Sequence, residues 1–267
     1  MTRIVVCGAA GRMGRTLVTL VAQNSAATLA GAVEAAGNPA LGKDAGELAG
    51  LGPLGVQITD DFAALASPDA VALDFTNAAA ALDHLRTAVQ RGTPIVIGST
   101  GFNATQQAEL DALAPQTRAV VASNMSVGIS VLQRLVGEAA RLLGRDFDTE
   151  IVEIHHKMKV DAPSGTALTL GRTVAEATGR SLAHDAVYGR EGIVGARKPN
   201  ELGIIALRGG DVIGDHTVIF AGMGERIELT HRAQSRDCLA RGALRAALWL
   251  VGQPVGRYGM SDVLGLR

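Results

Sequence analysis

Aromatic side chains make up only 3% of the 267 residues. That excludes the stacking platforms with which proteins hold single-stranded nucleic acid. Charge of one sign is also missing. The 25 Lys and Arg are balanced by 26 Asp and Glu, for a net charge of −1. Without a broad basic surface, a nucleic-acid binder held by phosphate contacts is excluded, and no such partner is expected. There are two cysteines, Cys7 and Cys238, far apart and in no metal-ligand spacing. Cys7 closes an apolar run and reads as a small buried residue. The expected compartment is the reducing cytoplasm. No stretch approaches the ~18 consecutive apolar residues of a membrane span, so no membrane partner is expected. The run Ile4–Cys7 is too short for the apolar part of a secretion signal, and no removed leader is expected.

What the chain does have is glycine, 33 residues, and a hydrophobic content of 47%. At roughly 100–200 residues per domain, the length suits one large domain or two modest ones. Over 1–125 short apolar runs alternate with amphipathic stretches. Strands are expected at Ile4–Cys7, Thr28–Glu34, Val56–Thr59, Val71–Phe75, Pro94–Ile97 and Ala119–Ala122. Helices are expected at Arg12–Gln23, Ala78–Arg91 and Ala104–Leu113. This alternation predicts an α/β, Rossmann-like domain with a parallel sheet covered on both faces.

From 126 to 236 the pattern changes. Helices at Ser126–Leu143 and Ser164–Thr178 accompany strands at Thr149–His155, Gly203–Arg208, Val212–Ala221 and Arg226–Ala233. This predicts a second, α+β domain with a mixed or antiparallel sheet. Gly209-Gly210-Asp211 reads as a hairpin turn. The remainder, 237–267, reads as a last helix, Asp237–Val251 with its tail, packing back on the first domain. Trp249 is its expected anchor.

Gly8-Ala9-Ala10-Gly11-Arg12-Met13-Gly14 follows the first strand and opens the first helix. Glycines allow a tight turn and close backbone approach to a pyrophosphate, and the helix start offers N–H groups and partial positive charge. Glu34 closes the second strand, where a dinucleotide site needs an acid for the ribose hydroxyls. Together these predict a cofactor site for NADH or NADPH. Ala35 cannot grip a 2′-phosphate, which favours NADH or leaves the two close. Gly98, Ser99 and Thr100 end the fifth strand, and Ala122, Ser123, Asn124 and Met125 end the sixth. Both segments suit the nicotinamide half, as does Asp74-Phe75-Thr76.

The densest chemistry runs from Glu153 to Thr166. His155, His156, Lys157 and Lys159 put four potential cations within five residues. In an extended stretch His155, Lys157 and Lys159 share one side and His156 the other. Pro163 suits the first turn of the following helix, and Ser164, Gly165 and Thr166 suit an anion there. Two adjacent anion sites fit a small dicarboxylate. Zinc-ligand spacing is absent, so no metal is expected. His84, His184 and His231 receive no role, and His216 and Glu225 are expected to support the sheet.

The His-His…Pro-Ser-Gly-Thr run resembles the signature of the 4-hydroxy-tetrahydrodipicolinate reductase family. The resemblance extends over the chain through Gly8–Gly14, Asp74-Phe75-Thr76, Gly98–Gly101, Asn124–Gly128, Arg208–Asp211, Gly214–Thr217 and Gly224-Glu225-Arg226. It implies NAD(P)H-dependent reduction of a cyclic dicarboxylate in lysine and diaminopimelate biosynthesis. It implies His155 as general acid/base, Lys159 as proton donor, His156 as a substrate contact and Gly165-Thr166 as the carboxylate-binding turn. It also implies a homotetramer formed through the second domain. Two other readings remain: another two-domain nicotinamide dehydrogenase, or a non-catalytic NADH sensor. Arg236 has no settled role.

Overall fold

A computed structural model of the chain describes residues 1–266. Its elements begin with β1 (Thr2–Cys7), α1 (Arg12–Ala22), β2 (Ala27–Val33), α2 (Ala45–Leu48), β3 (Ile58–Thr59) and α3 (Phe62–Leu65). Next come β4 (Ala70–Asp74), α4 (Ala78–Arg91), β5 (Ile95–Ile97), α5 (Ala104–Leu113), β6 (Arg118–Val121), α6 (Val127–Leu143) and β7 (Asp148–His155). Then follow α7 (Gly165–Thr178), α8 (Leu182–Asp185), β8 (Ala186–Val187), β9 (Leu202–Arg208), β10 (Gly214–Ala221) and β11 (Arg226–Ala233). The chain closes with α9 (Asp237–Leu250), β12 (Gly256–Tyr258) and α10 (Met260–Leu264). Two compact units result. One is Met1–Val127 with the chain from Asp237 onward; the other is Gly128–Arg236.

The first unit is organised by strands that bury both faces. Ile4 and Val6 of β1 point one way, Val5 and Cys7 the other. Val71 and Leu73 alternate with Ala70 and Ala72 on β4, and Val96 with Ile95 and Ile97 on β5. Such strands need cover on both sides. Leu17, Val18 and Val21 of α1, Ala243 and Ala247 of α9 and Val263 of α10 cover the Ile4 face. Ala81, Leu82 and Leu85 of α4 and Leu110 of α5 cover the other. Truncating one of these leucines to alanine costs about 2–5 kcal/mol. The helices are punctuated locally. Asn77 caps α4 by accepting from the N–H groups of Ala79 and Ala80, and Gly92 ends it in the left-handed region at φ 66°. Asn103 and Gln106 form a capping box on α5.

The first sheet runs β12-β6-β5-β4-β1-β2-β3, all parallel. Its order reverses between β1 and β4, and ligand crevices in such sheets lie beyond the carboxyl ends of the strands there. The end of the chain differs from the single expected helix. α9 stops at Leu250, β12 pairs with β6, and α10 follows. Three residues carry too little periodicity to announce a strand; Arg118–Val120 make one of Gly256–Tyr258 by pairing with it. Trp249 meets Tyr258 edge to face at 5.1 Å, tying α9 to that strand.

The second unit is a mixed sheet in the order β11-β10-β7-β9-β8. β7, β9 and β8 are parallel, while β10 is antiparallel to β7 and β11. Ile151, Leu202, Ile204, Val218 and Phe220 pack under Ile129, Leu132 and Val136 of α6 and Leu170 and Val174 of α7. The hairpin expected at Gly209-Gly210-Asp211 is corrected here. β9 and β10 do not pair; β7 lies between them, so this loop crosses the end of β7. Turn residues report that the chain reverses, not which strand it returns beside. Gly222-Met223-Gly224 does join paired neighbours, β10 and β11.

Candidate active site

In the first unit the glycine turn is shaped by one close approach. A Cβ on Gly14 would fall 2.0 Å from the Gly8 carbonyl oxygen, so any side chain there forces the turn open. Gly8 is left-handed at φ 76°. The Ala9 N–H donates to Val33 O, and the Ala10 N–H to Glu34 Oε1 at 2.8 Å. Glu34 Oε2 accepts from Asn38 Nδ2 and the Ala35 N–H. Each carboxylate oxygen has two lone pairs, so Oε1 keeps one for a further donor. Gly11 is the N-cap of α1; no side chain caps this helix, and no acid lies in its first turn. Its positive end is thus left for an anion. Gly11 and Arg12 are exposed, and Met13 is half-buried.

The other expected cofactor residues divide. Thr100 and Ser123 are exposed, and Gly98, Ala122 and Asn124 are half-buried. Ser99 and Met125 are both buried. Ser99 is buried, and its hydroxyl donates to Asp74 Oδ1 at 2.8 Å. The Met125 side chain is 1% exposed and belongs to the core. Its backbone is approached so closely that a Cβ on Gly242 would fall 1.8 Å from its carbonyl oxygen.

In the second unit, His155 ends β7 and is 8% exposed. Its Nδ1 lies 2.6 Å from Oε2 of Glu153, which is fully buried. The two residues share a face of the strand at spacing two. Arg208 closes on the same carboxylate as a fork, Nη1 to Oε2 at 2.8 Å and Nη2 to Oε1 at 3.0 Å. The Ser164 N–H donates to Oε1 at 2.9 Å. Burial by itself pushes the Glu153 carboxyl up; the Arg208 fork, the His155 ring and the Ser164 N–H outweigh it and hold it below the ordinary glutamate value. An ionised carboxylate only accepts, so His155 carries a proton on Nδ1, and Nε2 lies outside that bond. Nε2 sits against Gly214, where a Cβ would fall 2.8 Å from it.

Ser164 is also the N-cap of α7, accepting from the Ala167 N–H. Its hydroxyl lies 3.1 Å from His216 Nε2. His216, buried on β10, meets the His155 ring edge-on at 5.2 Å. Burial first, and the neighbouring His155 second, push His216 down to about 4, so its ring stays neutral beside the Ser164 hydroxyl. Glu153, Arg208, Ser164 and His216 therefore form a rigid mount for one imidazole. Sequence reasoning gave the first two no role; the available signal was Glu153 two residues before His155.

Beyond His155 the shared-side expectation fails, because β7 ends there. His156, Lys157 and Lys159 lie in a turn clasped to the β9–β10 loop. The His156 N–H donates to Val212 O and the Lys157 N–H to Gly210 O. Lys159 Nζ binds both oxygens of Asp161, at 2.7 and 2.8 Å. Lys159 holds the Asp161 carboxyl below the ordinary aspartate value. Pro163 is also placed differently from the expectation. It precedes the Ser164 cap and does not enter the first turn. Gly165, the first residue of α7, is exposed, and Thr166 half-buried. His84, expected to have no role, pairs with Asp74.

A parallel sheet with an order reversal, a glycine turn, an uncapped helix behind it and an acid ending the second strand define a dinucleotide-binding oxidoreductase. The "Dihydrodipicolinate reductase, N-terminus" family matches residues 2–125, and "Dihydrodipicolinate reductase, C-terminus" matches residues 128–264. The chain belongs to the dihydrodipicolinate reductase family. It is 55% identical over 268 residues to the 4-hydroxy-tetrahydrodipicolinate reductase of Anaeromyxobacter dehalogenans (strain 2CP-1 / ATCC BAA-258), covering 100% of this chain and 99% of that one. It is 51% identical to the enzyme of the same name from Syntrophobacter fumaroxidans (strain DSM 10017 / MPOB), covering 100% of both. Among solved structures, dipicolinate-bound dihydrodipicolinate reductase from Paenisporosarcina sp. TG-14 shares the fold, with a TM-score of 0.76 at 24% identity over 98% of each chain.

Proposed function

We propose that the protein reduces 4-hydroxy-tetrahydrodipicolinate to tetrahydrodipicolinate, with loss of water, using NADH or NADPH, in lysine and diaminopimelate biosynthesis. The observation that carries this at the site is the buried Glu153 holding His155 by Nδ1. A histidine so held presents one tautomer and one nitrogen. A bound reduced nicotinamide supplies the hydride. His155 acts as general acid/base through Nε2. Lys159, oriented by Asp161, delivers the proton to the reduced ring. His156 contacts the substrate, and Gly165 with Thr166 at the start of α7 takes a carboxylate by the helix-terminus effect. Gly8, Ala9, Ala10, Gly11, Arg12 and Met13 take the pyrophosphate, and Glu34 the ribose. Gly98–Thr100 and Ala122–Met125 border the nicotinamide half. On this reading 1–125, with the chain from 237 onward, binds the dinucleotide, and 126–236 binds substrate and associates.

The association we propose is a homotetramer in the cytoplasm. The second sheet's face away from α6 and α7 carries Val152, Ile154, Ile205, Leu207 and Ile219, none of them buried, with Leu207 44% exposed. A half-exposed apolar sheet face supports association through this unit. Among the described residues no helix is long and apolar enough to cross a membrane.

The test supplies the cyclic dicarboxylate with each cofactor in turn and follows loss of the reduced cofactor. Turnover is expected with wild type and is largely lost in His155→Ala and Lys159→Ala, which still bind NADH. Cofactor binding without turnover on this substrate would favour the sensor reading and overturn the reductase. Sedimentation at monomer mass would overturn the tetramer.

A further inference from the structure

The first unit contains a second carboxylate–histidine pair, which the reaction as described does not use. Asp74, the last residue of β4, is fully buried. Its Oδ2 lies 2.6 Å from His84 Nδ1 on α4. Its Oδ1 accepts from Ser99 Oγ at 2.8 Å, Thr76 Oγ1 at 2.7 Å and the Thr76 N–H at 3.0 Å. A buried carboxylate persists only when its lone pairs are met. Here the donors come from the loop after β4, the loop after β5 and a helix, so one carboxylate joins three segments. Phe62 stands edge-on to His84, with ring centroids 4.9 Å apart.

Cys7 belongs to the same neighbourhood: one ligand atom each of Cys7, Asp74 and His84 lie within 4.8 Å of one another. Burial, then the charges of Asp74 and Glu34, push the Cys7 thiol well above its usual range, away from the thiolate that metals take. With Asp74 already holding four hydrogen bonds, the cluster is a hydrogen-bonded knot rather than a chelate.

Both loops tied by Asp74 border the glycine turn or its neighbour. A Cβ on Gly8 would fall 3.0 Å from Thr76 Cγ2. Gly98 lies so close under Phe75 that a Cβ there would be 2.2 Å from its ring. A shift of Asp74 therefore moves Thr76 against the turn and Ser99 beside Gly98 together. We propose that Asp74 and His84 are positioning residues for the nicotinamide cofactor, holding the loops after β4 and β5 in register with the glycine turn. The proposal rests on the dinucleotide reading of this unit. His84 donates from Nδ1, Asp74 distributes that restraint, and Ser99 and Thr76 receive it.

The test is steady-state kinetics on full-length H84A, H84N and S99A, varying NADH and the cyclic dicarboxylate in turn. Losing a charge-assisted hydrogen bond corresponds to about a tenfold effect. H84A and S99A therefore raise the KM for NADH by about tenfold and leave the dicarboxylate KM within about twofold. H84N, whose amide N–H can replace Nδ1–H, returns the NADH KM to within about threefold of wild type. A purely structural role would lower Tm without that split. An unchanged NADH KM in both H84A and S99A, or an equal rise in both KM values, overturns the proposal. If H84A does not fold, S99A decides: an unchanged NADH KM in S99A overturns the proposal. Calorimetric titration separates the two failures. A wild type that binds neither NADH nor NADPH removes the dinucleotide reading; tight binding that H84A leaves untouched removes only the positioning role.

Discussion

Glu153 Oε2 and His155 Nδ1 are 2.6 Å apart, inside a unit where the carboxylate has no solvent exposure at all. Arg208, fifty-five residues away in sequence, grips both oxygens of that carboxylate. The pair sets which imidazole nitrogen is free, and Gly214 clears the space for it.

Glu153→Gln keeps the shape but offers His155 only one acceptor and confronts Arg208 with an amide N–H. The imidazole loses its fixed tautomer. General acid–base catalysis contributes about 10²–10⁴-fold, so kcat should fall on the order of 10²-fold while NADH affinity holds. A kcat close to wild type would remove Glu153 from the catalytic mount.

Gly214→Ala tests the same imidazole from its other nitrogen. The new Cβ would lie 2.8 Å from Nε2, so the ring must swing away. Swinging the ring strips a partner from buried Glu153, so Tm should fall while kcat drops about tenfold or more. Unaltered turnover would show that Nε2 does not need its present position.

His216 makes stability depend on pH. Its native value is pushed from 6.5 down to about 4 by burial, then by His155. Between those values the unfolded chain binds a proton that the native state does not, so stability rises with pH. The contribution, on the order of 3 kcal/mol, is complete above pH 6.5 and is lost as pH falls towards 4. Glu153, held below its ordinary value, adds stability that is lost in a lower window, as pH falls through its native value. Urea midpoints should drop between about pH 7 and about pH 5 in wild type and much less in His216→Gln. Equal drops in both proteins would contradict the assignment.

Glu34 holds the glycine turn by accepting the Ala10 N–H. Glu34→Ala removes that bond and the acid at the end of β2. The KM for NADH should rise about tenfold without moving the pH–rate profile. Ala35→Arg adds a guanidinium suited to a 2′-phosphate and should shift the kcat/KM ratio towards NADPH by about tenfold. Cofactor affinity indifferent to both changes would take this strand end out of the site.

Much of the fold was legible because its causes are local. Asn77 and Gly92 bracket α4, and the expected Ala78–Arg91 is the helix found. Continuous apolar runs along β1, β4 and β5 announced strands buried on both faces. The glycine turn and Glu34 are likewise separated by one helix and one strand, a distance that βαβ geometry spans predictably. By contrast β12 was invisible, since its three residues become a strand only through β6. The clustered cations misled in one respect: they suggested an extended array, but β7 stops at His155.

The sequence by itself determined the two kinds of sheet, the cofactor-type turn and the histidine–lysine run, because periodicity, caps and short spacings act over a few residues. Only the tertiary structure decided that β7 separates β9 from β10, and hence that Arg208 and His216 flank Glu153 from the two sides. It likewise decided that Asp74 meets both His84 and Ser99. A residue's period says which face it occupies; the order of strands in the sheet says who its neighbours are, and that order depends on the packing of the whole unit.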